Sequence, residues 1–177
     1  MGGVLIVGGG QGGARCAIEL REAGYKPPIT LLSDEAYVPY ERPPLSKEVL
    51  SLDATAGQPQ VVPQADLEAA KIRLRLNQRV DSLDPVNRQV STATGEQFGY
   101  DYLVVATGAH ARCLSITGAD LQGVFTLRDA PDALLLREQM AQAKRVVVIG
   151  GGVLGLEIAA ACRSAGLETT VLEQAEH

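Results

Sequence analysis

Apolar positions along the chain fall into short unbroken runs separated by glycine clusters and helical patterns. Residues 4 to 7 read Val-Leu-Ile-Val with no polar break, the pattern of a strand buried on both faces. A glycine cluster follows, then apolar residues at helical spacing as far as Ala23-Gly24. The whole succession returns later: "VLIVGGGQGGARCAIELREAG" (4 to 24) and "VVVIGGGVLGLEIAAACRSAG" (146 to 166) share strand, glycines, apolar-faced helix and terminal Ala-Gly. Gly8 to Gly24 and Gly150 to Gly166 both span sixteen positions. Each unit then enters a second apolar strand, "ITLLSDE" at 29 to 35 and "TTVLEQ" at 169 to 174, and each strand ends beside an acidic residue. These are two βαβ openings.

Between the repeats the pattern changes. Residues 54 to 65, rich in Gln, Pro and Ala, predict an exposed connection, and a short helix is expected over about 64 to 71. In "KIRLRL", Ile72, Leu74 and Leu76 alternate with Arg73 and Arg75, which predicts a half-buried strand. Residues 88 to 109 predict a β-meander: a strand to Thr92, a turn at Thr94-Gly95, a short strand near Phe98 and a buried strand from Tyr102 to Ala106, ending at Thr107-Gly108. Asp129, Pro131 and Asp132 are helix start signals, and that helix should run to Ala143. The first domain is thus interrupted, and the second barely begins.

Composition narrows the function classes. The 177 residues are 46% hydrophobic and 21% charged, enough to bury a core. A net charge of −5 with 16 scattered basic residues argues against a nucleic-acid surface, which needs clustered Lys and Arg. The N-terminus passes directly into an apolar strand with no basic region, and no apolar run approaches the ~20 residues of a membrane helix, so a soluble cytoplasmic protein is expected. Cys16, Cys113 and Cys162 lack metal or CxxC spacing and are read as small buried apolar residues, leaving no metal site.

The paired openings carry specific chemistry. In Gly8-x-Gly10-x-x-Gly13 and Gly150-x-Gly152-x-x-Gly155, the first glycine allows the turn out of the strand and the second lets backbone approach a pyrophosphate. The third allows close packing of helix on strand, while the helix start presents unpaired N–H groups to the phosphates. An acid at the end of the next strand can take up ribose hydroxyls. Glu173 would accept from a 2′-OH and repel a 2′-phosphate, which favours NAD over NADP at the second site.

The order of glycine fingerprint, "LLSDE...PYERPPLSK", "YDYLVVATGA", "LRDAPDA" and "VVVIGGGVLGLEIAA" resembles the FAD-dependent, NADH-using ferredoxin and rubredoxin reductases. That group lies within the pyridine nucleotide-disulfide oxidoreductase fold and includes reductase components of aromatic-ring dioxygenase and P450 systems. The resemblance implies a Rossmann-like FAD-binding α/β domain with a β-meander (residues 1–112), followed by the opening βαβ of a second Rossmann-like, NAD-binding domain (113–177).

It also implies roles. Gly8, Gly10 and Gly13 would hold the FAD pyrophosphate, Asp34 the adenosine ribose and the Val80 main chain the adenine. Arg112 and Arg128, with Ala106, Thr107 and Gly108, would lie along the flavin nucleotide. Lys47 falls at the family lysine near the flavin N5 edge, paired with the glutamate at Glu157. Pro43 and Pro44 fix two φ angles ahead of it and reduce the entropy lost in holding it. A cation there would stabilise a reduced flavin's negative charge, with the carboxylate orienting it. Gly150, Gly152, Gly155 and Glu173 would bind NADH, and electrons would pass through FAD to a ferredoxin or rubredoxin type protein. Neither glycine unit is followed by a CxxC or CxxxxC pair such as the disulfide reductases of this fold carry, so electrons should leave the flavin directly.

Two departures stand out. His110-Ala111 replaces the usual Arg-Pro after "ATGA", and His110 is read as an exposed loop residue, since flavin reduction by a nicotinamide needs no imidazole. Members of the group also run well beyond this length. The nicotinamide pocket would be missing, and the second domain would need further residues or another chain to cover its apolar surface. The expectation is therefore that these residues alone do not sustain NADH turnover. Beside the reductase stand a truncated, non-catalytic dinucleotide-binding fragment and the flavin portion of a nitrite or monodehydroascorbate reductase.

Overall fold

The computed structural model describes residues 2–53 and 59–176. The chain forms two compact units, Met1–Glu41 with Gln60–Ala109, and Arg42–Pro59 with His110–His177.

In the first unit, strand β1 (Val4–Val7) leads into helix α1 (Gln11–Glu22) and strand β2 (Ile29–Leu32). Helix α2 (Gln64–Ala69) precedes strand β3 (Ile72–Arg75). Three antiparallel strands follow, β4 (Val80–Asp84), β5 (Gln89–Thr92) and β6 (Gln97–Gly99), and then β7 (Tyr102–Val105). The main sheet is parallel, in the order β3-β2-β1-β7, with Val4 opposite both Ile29 and Tyr102. Side chains alternate across it. Val4, Ile6, Ile29 and Leu31 face a core shared with Ala14 and Ala17 of α1 and with Leu67 of α2, while Leu5, Val7 and Leu32 pack against Val90 and Phe98 of the meander. Burial of both faces accounts for the unbroken apolar runs.

Three expectations change here. The meander is β4-β5-β6, and the strand at Tyr102 leaves it to pair in parallel with β1. That strand is not buried: it ends at Val105 and lies at the sheet edge, with Tyr102 66% and Val105 64% exposed. Part of residues 54 to 65, expected to be exposed, is core, because Val61 and Val62 are buried against the α1 side of the sheet; residues 54–58 lie outside the described residues. Strand β4 had no separate signal, since "VDSLD" carries four exposed positions.

In the second unit, 3-10 turns at Pro43–Ser46 and Glu48–Leu50 accompany helix α3 (Ala130–Gln142), strand β8 (Arg145–Ile149), helix α4 (Val153–Ser164) and strand β9 (Glu168–Leu172). Helix α3 starts on a capping box, with Asp129 accepting from the Asp132 N–H at 3.0 Å, as its start signals predict. Strands β8 and β9 pair in parallel. Leu50, Met140, Cys162 and Leu167 form the core. Val147, Ile149 and Leu172 are each more than half exposed.

The repeated glycine units fold alike down to their ends. Arg21 and Arg163, in the last turns of α1 and α4, donate to the carbonyls of Tyr25 and Leu167 four residues on. The Tyr25 and Leu167 N–H groups close onto Leu20 and Cys162. The latter two bonds satisfy carbonyls in the last turns of the helices that would otherwise lack partners.

Candidate functional site

The first fingerprint is shaped by contacts a side chain would prevent. Gly8 leaves β1 at φ +118, and a β-carbon there would run into the backbone of Ala106 and Thr107. A β-carbon on Gly13 would strike the Gly8 carbonyl. At Gly10, which caps α1 with no side-chain hydrogen bond, a β-carbon would meet nothing within 4 Å. Gly8, Gly13, Ala106 and Thr107 are thus packed together, and Gly10 faces open space. Ala106 is tied to β1 through its N–H to the Val7 carbonyl at 2.8 Å, and Gly108 takes φ +72 just beyond. Asp34 is exposed beyond the end of β2, and Val80 begins β4 and packs against the meander-side core.

The second fingerprint repeats this geometry. Gly150 has φ +107, a β-carbon on Gly155 would strike the Gly150 carbonyl, and Gly152 caps α4 facing open space. One addition distinguishes it: the Glu173 carboxylate accepts from Gly151 N–H (2.6 Å), Gln174 N–H (2.6 Å) and Ala175 N–H (2.8 Å). Those backbone donors, Ala175 first, then Gly151 and Gln174, hold its carboxyl below the usual carboxylate range. Gly151 and Gln174 each occupy one carboxylate oxygen, with Ala175 sharing the second, so one lone pair on the Oε2 side is left to accept from a ligand hydroxyl.

The second unit also brings Lys47 and Glu157 together. Lys47 stands between the two 3-10 turns, its N–H bonded to the Pro44 carbonyl at 3.1 Å, and its Nζ lies 3.4 Å from Glu157 Oε1. The other oxygen, Oε2, accepts from the Ser46 hydroxyl at 2.6 Å. Ser46 and, more weakly, Lys47 pull the Glu157 carboxyl below its ordinary range against a desolvation effect of opposite sign. Ser46 was not among the sequence candidates. A serine buried to 3% exposure inside a Pro-Pro turn is the signal for it, and only the structure gives the burial.

Arg128 is held by its backbone: its N–H donates to Asp132 (2.8 Å), and its carbonyl accepts from Arg42 Nη1 (2.7 Å). Its Nε is buried with no hydrogen-bond partner among the described residues, a donor available to an anion. Arg112 and His110 are exposed on irregular chain before α3. The cysteines divide three ways: Cys162 is buried, Cys16 half-buried and Cys113 exposed, so only the first fits the buried reading. The other two lie on a helix flank and in an exposed loop.

With this geometry in place, the match to known proteins is decisive, for residues 2–177 fit the pyridine nucleotide-disulphide oxidoreductase pattern throughout. The chain belongs to that family. Among pyridine nucleotide-disulphide oxidoreductases it is 41% identical over 172 residues to the rubredoxin-NAD(+) reductase of Pseudomonas putida, covering 97% of this chain and 45% of that one. It is also 41% identical to the rhodocoxin reductase of Rhodococcus erythropolis, covering 96% of this chain and 40% of the other. A ferredoxin reductase structure from Rhodopseudomonas palustris superposes with a TM-score of 0.88 at 40% identity, over 95% of this chain and 41% of that one. The chain therefore spans less than half the length of these relatives.

Proposed function

We propose that this chain is the dinucleotide-binding part of a flavoprotein reductase that draws electrons from NADH and passes them through FAD to a ferredoxin or rubredoxin type protein. The observation that carries the reading is the duplicated cradle. In each fingerprint the third glycine is locked against the first, while the second opens onto free space at an uncapped helix start. Such a cradle fits a pyrophosphate.

Gly8, Gly10 and Gly13 are proposed to bind the FAD pyrophosphate, with Ala106, Thr107 and Gly108 bordering them, Asp34 accepting from the ribose and Val80 presenting its main chain to the adenine. The unpartnered Arg128 Nε fits a phosphate donor, and Arg112 is proposed as a second cation for the flavin nucleotide. Gly150, Gly152, Gly155 and Glu173 are assigned to NAD(H), the anionic Glu173 disfavouring a 2′-phosphate. FAD, when bound, supplies two-electron acceptance from NADH and one-electron release to an iron–sulfur or rubredoxin centre. Lys47 is proposed to supply the positive charge beside the redox ring and Glu157 to hold that cation in place, without adding net charge to the site.

The functional division is proposed at residues 112 and 113. A cytoplasmic setting fits three thiols that are all free.

Anaerobic titration of the FAD-loaded full-length reductase of which this chain is proposed to be a part, with NADH and, in parallel, NADPH, tests the reading at the visible flavin bands. Bleaching by NADH and recovery on adding oxidised ferredoxin or rubredoxin supports it. Bound flavin that neither nucleotide reduces would leave a nucleotide-binding module and refute the reductase.

A further inference from the structure

We infer that Ser46 is the positioning residue of the Lys47–Glu157 pair, its hydroxyl fixing the Glu157 carboxylate so that the opposite oxygen faces the lysine. Its catalytic meaning rests on the proposal above that Lys47 serves the flavin; the geometry of the pair does not.

The two contacts made by Glu157 are unequal. Lys47 reaches Oε1 at 3.4 Å, with its side chain 49% exposed, and an ion pair that open to water contributes little against the entropy of ordering four rotatable bonds. Ser46 reaches Oε2 at 2.6 Å from a position only 3% exposed. It is a charge-assisted bond made by a side chain with a single rotor. The hydroxyl also lies 3.4 Å from the Pro43 carbonyl. It has one proton, and the shorter, anionic acceptor takes it.

The backbone beneath Ser46 is restrained as well. It closes the Pro43–Ser46 turn, in which two proline rings set φ, and the next N–H is bonded back to Pro44. Glu157 comes from the first half of α4, one face of which also carries Ala160, Ala161 and Ser164 along a cleft shared with residues 46–53. Small residues on that face let the turn approach the helix. Ser46 is thus the short, rigid link between turn and helix, and Lys47 the long, mobile one.

Among the described residues, the other charged groups lining this cleft are Glu48 and Asp53 on the same segment; Arg137 of α3 donates to the carbonyl of Val49 on that segment at 3.3 Å. Neither acid supplies the donor that Ser46 supplies. Loss of Ser46 should therefore be felt directly by Glu157.

The test is a 13C NMR titration of the Glu157 carboxyl in glutamate-labelled protein, comparing the parent with Ser46→Ala, Ser46→Cys and Ser46→Thr, each checked for fold by circular dichroism. Ser46→Cys keeps the volume with a weak donor and carries the test if the alanine variant does not fold. The inference predicts that Ala and Cys both move the titration of Glu157 upward and that Thr returns it to the parent position. A titration unmoved in a folded Ala or Cys variant, or unrestored in a folded Thr variant, overturns it. Lys47→Met, read by the reduction potential of bound FAD, separates the two proposals. An unchanged potential beside a Ser46-dependent Glu157 would remove the flavin role of Lys47 and leave the positioning role of Ser46 intact.

Discussion

The Gly150 carbonyl oxygen occupies the space that a β-carbon on Gly155 would need, and Gly8 and Gly13 stand in the same relationship in the first fingerprint. Helix and strand are thereby brought into backbone contact, and the obstructing atom is main chain, which cannot swing aside. Gly13→Ala and Gly155→Ala should each destabilise the protein by about 1–3 kcal/mol. Gly10→Ala, at φ −79 with open space around it, should cost less than about 1 kcal/mol. Urea denaturation of the three variants checks the order, and an equal loss at all three would contradict it.

Acid should weaken the second unit through Glu157. Its folded pKa is depressed from the ordinary 4.5, first by Ser46 and then by Lys47, so its contribution is present above the ordinary value and is lost as pH falls through the folded one. Glu157→Gln should therefore flatten the stability profile at acid pH. Thermal unfolding of parent and variant between neutrality and about pH 3 measures this, and parallel curves would speak against it.

Glu173 should set nucleotide preference. Its anionic carboxylate is fixed by three backbone N–H groups at the turn that would receive the ribose. The parent is expected to bind NADH more tightly than NADPH, and Glu173→Gln to narrow the ratio by about tenfold, equivalent to about 1.4 kcal/mol. Isothermal titration with both nucleotides decides, and an unaltered ratio would remove Glu173 from the ribose.

Thiol chemistry should follow exposure. Cys113 is exposed, whereas burial raises the Cys162 thiol pKa. Iodoacetamide labelling followed by peptide mass spectrometry should mark Cys113 first and Cys162 only after unfolding. Early labelling of Cys162 would show that its core opens readily.

Much of the fold was legible because both glycine units obey local rules. An unbroken apolar strand, a positive-φ glycine and a helix packed on a glycine need no distant partner to be recognised, and Asp129 and Asp132 mark the α3 start in the same local way. What escaped was set by tertiary pairing. The pattern of Tyr102–Val105 is that of a strand, but nothing in it says that its neighbour is β1 rather than β6. Val61 and Val62 are buried because a sheet core lies beside them, although their Gln and Pro neighbours suggest an exposed linker. The Lys47–Glu157 pair could be assigned only through the family resemblance, whereas Ser46, silent in sequence, became visible once burial and the bond to Glu157 were known.

The central claim is that the turn beginning at Gly8 seats FAD. Equilibrium titration of the purified protein with FAD, beside a folded Gly10→Val variant that fills the open cradle, tests it most directly. The account predicts saturable binding by the parent and a loss of about tenfold or more in affinity in the variant. No binding by the folded parent, or equal binding by both proteins, would contradict it.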